Sequence, residues 1–179
     1  MNLIEIIISR EYIYKGKILK LRKDEVLLPN NKHSKREIVE LLNAAAVLAI
    51  NKNGKIIFVK QYRCPYEEIL LEIPAGKVNT GEEPLSCAKR ELLEETGAKA
   101  KSIKLLAETY PSPGCLKERL FLYLAEEFEY SKQHLDEDEF LEVYEFTLEE
   151  AISLIKKGEI KDAKTINALL LYKENIFKD

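Results

Sequence analysis

Apolar and polar positions follow two different rhythms along this chain. Near the start they form short alternating runs: Tyr12 and Tyr14 in a first strand, a turn at Lys15 to Lys17, a second strand over residues 18–28, a Pro29-Asn30-Asn31 turn, and a third strand over 36–41. Three short strands bury too little apolar surface to stand alone, so they should pack on the core or on a second subunit. Residues 44–50 and 55–62 are denser apolar runs separated by Asn51-Lys52-Asn53-Gly54, a hairpin signal, and should be central strands. Residues 103–110, 119–127 and 141–146 read as further strands. A helical period intervenes from Glu83 or Pro84 to Gly97, with Leu85, Ala88 and Leu92 as its apolar stripe. Thr147 and Glu150 form a capping box for a helix that stops at Gly158. Asp162 or Thr165 opens a last helix, with Ile166, Leu169 and Leu170 on one face. Mixed strands followed by separate helices predict an α+β layered domain.

With 179 residues, 46% hydrophobic and 33% charged, the chain suffices for one full domain with a small appendage. A net charge of −3 and the lack of a long basic run argue against nucleic acid as a partner. Glu5 interrupts the apolar start around Ile6, Ile7 and Ile8, and no small-residue cleavage site follows, so a signal peptide is not expected. The run at 44–50 falls far short of the roughly 20 residues of a membrane span, so no membrane partner is expected either. Cys64, Cys87 and Cys115 are odd in number and widely spaced, which suits reduced thiols in a cytoplasmic protein, with Cys87 packed inside the helix. His33 and His134 form no zinc pattern and are read as surface residues.

The chemistry concentrates between Gly76 and Ala98, in the pattern G-x5-E-x7-R-E-U-x-E-E-x-G-U with U apolar. Its fixed positions are Gly76, Glu82, Arg90, Glu91, Glu94, Glu95 and Gly97. Helical spacing projects Glu91, Glu94 and Glu95 together, near a helix C-terminus where the dipole is already negative. Such clustering costs stability, and a hard divalent cation, Mg²⁺ or Mn²⁺, relieves it while bridging to substrate phosphates. Gly76 and Gly81 should let the preceding loop reach backbone conformations that bring it close to a polyanion. A solvated, salt-bridged helix would account for the charges but for neither the glycines nor the spacing.

This pattern resembles that of the Nudix hydrolases, and the likeness extends from about Glu11 to Tyr172. It implies an alpha-beta-alpha sandwich with a small N-terminal antiparallel sheet: residues 1–43 as a dimerisation element and 44–179 as the hydrolase domain. By position it makes Glu91 and Glu95 metal ligands together with the Ala75 carbonyl. Glu94 becomes a ligand or a supporting catalytic group, and Glu82 with Arg90 an ion pair holding loop to helix. Pro113, fifteen positions after Ala98, resembles a marker of the ADP-ribose pyrophosphatase subgroup, as do Leu71 to Gly76 and Gln61-Tyr62-Arg63. The subgroup implies that Arg36 and Glu37 reach the adenine side from a partner subunit and that Glu118 orients ribose. Arg63 would contact phosphate, which a guanidinium can do in bidentate fashion. It also implies a base on the acidic segment Asp136-Glu137-Asp138-Glu139, with Glu137 first and Glu139 second. Tyr12, Tyr14 or Tyr110 offers stacking on adenine, although strand aromatics more often lie in a core. Leu41-Leu42-Asn43 departs from the subgroup's His-Pro-Gly, and Ala98 is small for its position, which touches adenine and ribose contacts rather than metal chemistry. The expectation is Mg²⁺-dependent hydrolysis of ADP-ribose to AMP and ribose 5-phosphate by a homodimer. The alternatives are hydrolysis of another nucleotide sugar or dinucleotide, and a non-catalytic ADP-ribose sensor.

Overall fold

A computed structural model describes residues 2–135, 137 and 139–176. They group into two compact units: residues up to Leu42 joined by Tyr110–Arg119, and Asn43–Thr109 joined by the described chain from Leu120 onward.

In the first unit, β1 (Ile6–Lys15), β2 (Leu19–Leu27) and β3 (His33–Leu41) form an antiparallel meander, extended by the two-residue β9 (Leu116–Lys117) parallel to β3. β1 starts earlier than expected, because the run Ile6, Ile7, Ile8 carries no alternation that would mark a strand. It is an edge strand exposed along its whole length, with Ile6 60% and Ile13 55% accessible. Tyr12, Tyr14 and Tyr110 are exposed as well, so none of the three is a core aromatic.

The second unit holds two sheets. In the mixed sheet, β4 (Ala44–Ala49) runs parallel to β10 (Leu120–Tyr130), with β8 (Ala98–Thr109) antiparallel beyond β10 and β7 (Ala75–Lys77) antiparallel on the other side of β4. The antiparallel sheet places β5 (Ile56–Arg63) between β11 (Leu141–Phe146) and β6 (Glu68–Glu72). The expected hairpin therefore closes only at its turn. Gly54 N–H donates to Asn51 O at 2.8 Å and Ile50 bridges Ile56, after which β4 and β5 part into different sheets. A turn signal fixes the reversal of the chain, whereas burial on both faces decides which partners each strand takes.

β4 shows why these strands lack alternation. Ala45, Val47 and Ala49 pack with Cys87, Ala88 and Leu92 of α1 (Pro84–Thr96) on one face. Ala46 and Leu48 pack on the other with Ala151 of α2 (Leu148–Lys156), Ile160, and Ala168 and Leu169 of α3 (Ala163–Lys173). The result is an alpha-beta-alpha sandwich in which each fully buried Leu or Ile contributes about 1.5–3 kcal/mol. The α2 capping box is present in both directions, Glu150 N to Thr147 Oγ1 at 3.2 Å and Thr147 N to Glu150 Oε2 at 2.8 Å. Two stripe positions differ from expectation. Leu85 is 39% exposed because it precedes the turn of α1 that meets the sheet, and Cys87 fills that place. Leu170 is 44% exposed because the inward face of α3 runs through Thr165, Ala168 and Leu169. Among the described residues no helix is long and apolar enough to cross a membrane.

Candidate active site

α1 begins at Pro84, after Glu83 in extended conformation, and ends at Gly97 with φ +73°, where the Gly97 N–H donates to Leu93 O at 2.8 Å. The segment after β10 folds over this end. Ser131 N–H donates to Gly97 O at 2.7 Å, Gln133 Nε2 to Glu95 O at 2.5 Å and His134 N–H to Glu94 O at 3.0 Å. These bonds satisfy carbonyls that a helix terminus leaves open, and they start the acidic segment beside the glutamate-bearing end of α1. No sequence signal singled out Gln133.

Arg90 organises the first half of the site. Its Nε and Nη2 take both oxygens of Glu82 at 2.9 and 3.0 Å, and its Nη1 meets Glu91 Oε1 at 2.7 Å and Glu94 Oε2 at 3.0 Å. One guanidinium thus offsets Glu82 and two of the three carboxylates whose crowding had pointed to a cation, leaving Glu95 outside its reach. The hydrogen bond from Arg90 holds the Glu82 carboxyl below its ordinary range, and Glu82 in turn raises Arg90.

Glu91 and Glu95 reach the same short piece of backbone from α1. Glu95 is 2% exposed, and its Oε2 accepts the Ala75 N–H at 3.1 Å. The Glu91 carboxylate lies against Gly76, where a Cβ would stand 1.8 Å from Oε1. Gly76 does not have positive φ, so this glycine serves close approach, while Gly81, at φ +83°, serves backbone conformation. The expected loop is at this point the strand β7, whose pairing with β4 fixes Ala75 and Gly76. Burial, then the negative charges of Glu139 and Glu91, push the Glu95 carboxyl up to about 9. Burial also raises Glu91, with Glu94 and Glu139 adding to it and Arg90 opposing. Among the described residues no three His, Cys, Asp or Glu side chains stand close enough to hold a metal ion unaided, since Arg90 draws Glu91 and Glu94 to itself. The donor set nevertheless fits a hard divalent cation. Two carboxylates, of which Glu91 raises the proton affinity of Glu95, converge on the Ala75-Gly76 backbone, and oxygen donors of this kind suit such an ion.

The remaining expected residues are distributed as follows. Arg63 grips Glu72 through Nε and Nη2, each at 2.8 Å, and its guanidinium also feels the Glu95 charge. Glu139 accepts from Gln61 Nε2 at 3.4 Å and lies near enough to raise both Glu91 and Glu95, whereas Glu137 is exposed in a turn. Asp136 and Asp138 of the same segment lie outside the described residues. In the other unit, Arg36 holds Glu5 at 2.5 and 3.0 Å and Glu37 is exposed on β3. Pro113 is exposed in a turn and Glu118 is half-buried just after β9. His33 pairs with Glu25 at 2.9 Å, and Cys64 and Cys115 are exposed free thiols.

The geometry and the comparisons with known proteins agree on a class. Residues 40–169 match the NUDIX domain and residues 5–39 the nucleoside diphosphate sugar hydrolase N-terminal domain. The chain belongs to the Nudix family. It is 50% identical over 164 residues to an ADP-ribose pyrophosphatase of Bacillus subtilis (strain 168), covering 90% of this chain and 89% of that protein. It is 44% identical over 164 residues to a methanol dehydrogenase activator of Bacillus methanolicus, with the same coverage of 90% and 89%. Its fold matches the crystal structure of an ADP compounds hydrolase with TM-score 0.85 and 21% identity, over 97% of this chain and 95% of that one.

Proposed function

We propose that the protein hydrolyses the pyrophosphate bond of ADP-ribose, giving AMP and ribose 5-phosphate, with Mg²⁺ or Mn²⁺ bound by Glu91, Glu95 and the Ala75 carbonyl. The observation that carries this reading is the convergence of Glu91 and Glu95 on the Ala75-Gly76 backbone. The half-identical ADP-ribose pyrophosphatase supports the choice of substrate. The cation supplies charge neutralisation at phosphoryl oxygens and lowers the pKa of a coordinated water.

The chain's own residues do the rest. Arg90 pairs with Glu91 and Glu94 and holds them aligned on one side of α1. Arg63, about a third exposed, presents a guanidinium to the diphosphate while Glu72 fixes its plane. Proton abstraction from water falls to the acidic segment. Between its two candidates, Glu139 is supported by its proximity to Glu91 and Glu95, and Glu137 by resemblance. Arg36, Glu37, Pro113 and Glu118 are assigned to nucleoside and ribose recognition by resemblance alone. The N-terminal strands are assigned to dimerisation, supported by the exposed apolar length of β1, and the three free thiols suit a cytoplasmic protein.

Hydrolysis of a panel of nucleoside diphosphate derivatives in ¹⁸O-water with Mg²⁺ tests the reading. ADP-ribose should be the preferred member, with label in AMP or ribose 5-phosphate. Binding of ADP-ribose without release of AMP would replace the enzyme with a sensor.

A further inference from the structure

The first turn of α3 lies far along the chain from the catalytic box, yet it is wired to it. Thr165 is fully buried, and its Oγ1 accepts the Ile73 N–H at 2.9 Å. The same hydroxyl donates to Asp162 Oδ2 at 2.6 Å, and that oxygen also accepts the Thr165 N–H at 2.9 Å, capping the helix. Two residues further on, Ala75 N–H bonds Glu95. Pro74 between them has no N–H, and its carbonyl accepts Val47 N–H at 2.9 Å. The backbone that carries the Ala75 carbonyl is thus pinned upstream by Thr165, centrally by β4 and downstream by Glu95.

Lys164 holds a second line into the site. Its Nζ bonds Glu72 Oε2 and lies 3.1 Å from Asp162 Oδ1, while Arg63 takes Glu72 from the other side. Glu72 and Asp162 formally balance Arg63 and Lys164, and without Lys164 the group would carry a net −1 next to an anionic substrate. An ionised Glu72, 2% exposed, would also draw the Arg63 guanidinium more tightly inward once Lys164 no longer shares it.

We infer that Thr165 and Lys164 are positioning residues for the reaction: Thr165 sets the Ala75 carbonyl and the Glu95 carboxylate for the cation, and Lys164 keeps Arg63 presented to the diphosphate. Neither residue touches substrate. The inference rests on the site proposed above and adds a remote element that tunes metal affinity and substrate affinity separately.

The test is Mn²⁺ titration by calorimetry without substrate, combined with kcat and KM for ADP-ribose. Thr165→Val, which keeps shape and removes the hydroxyl, should weaken Mn²⁺ binding about tenfold and lower kcat, and Thr165→Ser should restore both. Lys164→Met should raise KM about tenfold while Mn²⁺ affinity stays within about twofold of the wild type, and Lys164→Arg should restore KM. A folded Thr165→Val protein with unchanged Mn²⁺ affinity overturns the Thr165 role, as does a Thr165→Ser protein equally impaired. If Thr165→Val does not fold, Lys164→Met decides, and an unchanged KM there rejects the inference. Glu95→Gln is the control for the underlying site. Loss of Mn²⁺ binding in it, beside unaffected α3 variants, refutes only the positioning roles. Intact Mn²⁺ binding in Glu95→Gln refutes the site itself.

Discussion

Gly76→Ala separates the stability of this fold from the geometry of its site. A Cβ built at Gly76 lies 1.8 Å from Glu91 Oε1, 2.0 Å from Cδ and 2.5 Å from Oε2, against an ordinary contact of at least 3.4 Å. The carboxylate must therefore retreat by about 1.6 Å (3.4 − 1.8). The obstructed atoms end a flexible side chain, and the backbone at residue 76 needs no positive φ, so the fold accommodates the methyl cheaply. Displacement costs at most the Arg90–Glu91 pair, a partly exposed ion pair worth up to about 1 kcal/mol. For catalysis the same shift is large. Misplacement by about 1 Å lowers turnover on the order of 100-fold, or about 2.7 kcal/mol of activation free energy. Thermal melting and steady-state hydrolysis of ADP-ribose on one preparation read both quantities. The expected result is a melting temperature within a few degrees of the wild type, with kcat/KM down roughly 100-fold. Wild-type kcat/KM in Gly76→Ala would show that Glu91 need not stand where it does.

Other outcomes follow from the same geometry. Glu139→Gln should lower kcat at least about 100-fold with Mn²⁺ affinity nearly unchanged, and Glu137→Gln much less; the reverse order would return the base to Glu137. Burial alone would raise Glu72, but Arg63 and Lys164 outweigh it and hold the carboxyl at about 2. A folded value below the unfolded one gives stability that is complete above pH 4.5 and is lost as pH falls toward 2. The melting-temperature gap between wild type and Glu72→Gln should therefore be widest above pH 4.5 and narrow toward pH 2, and a gap independent of pH would contradict it. Sedimentation should show a dimer that Ile8→Lys with Ile13→Lys converts to monomer, since both positions are exposed on β1; an unaltered dimer would place the interface elsewhere.

What the sequence determined by itself is what lies within one turn or one helix. The limits of α1, the α2 capping box and the reversal at Gly54 rest on residues close together along the chain, where spacing sets proximity, whereas the pairing of Glu82 with Arg90, eight positions apart, was implied by the family resemblance. Tertiary structure decided the rest. It sent β4 and β5 to different sheets, added β6 and the short β7, and turned Thr165 rather than Leu170 inward. It also brought Glu139 to the α1 carboxylates and joined Thr165 to Ile73 across 92 positions. Such contacts have no local signature, because a hydroxyl or carboxylate carries the same propensity whether it faces solvent or an amide on a distant strand. Only the packing of the sandwich, which buries both faces of β4 at once, selects which distant groups meet.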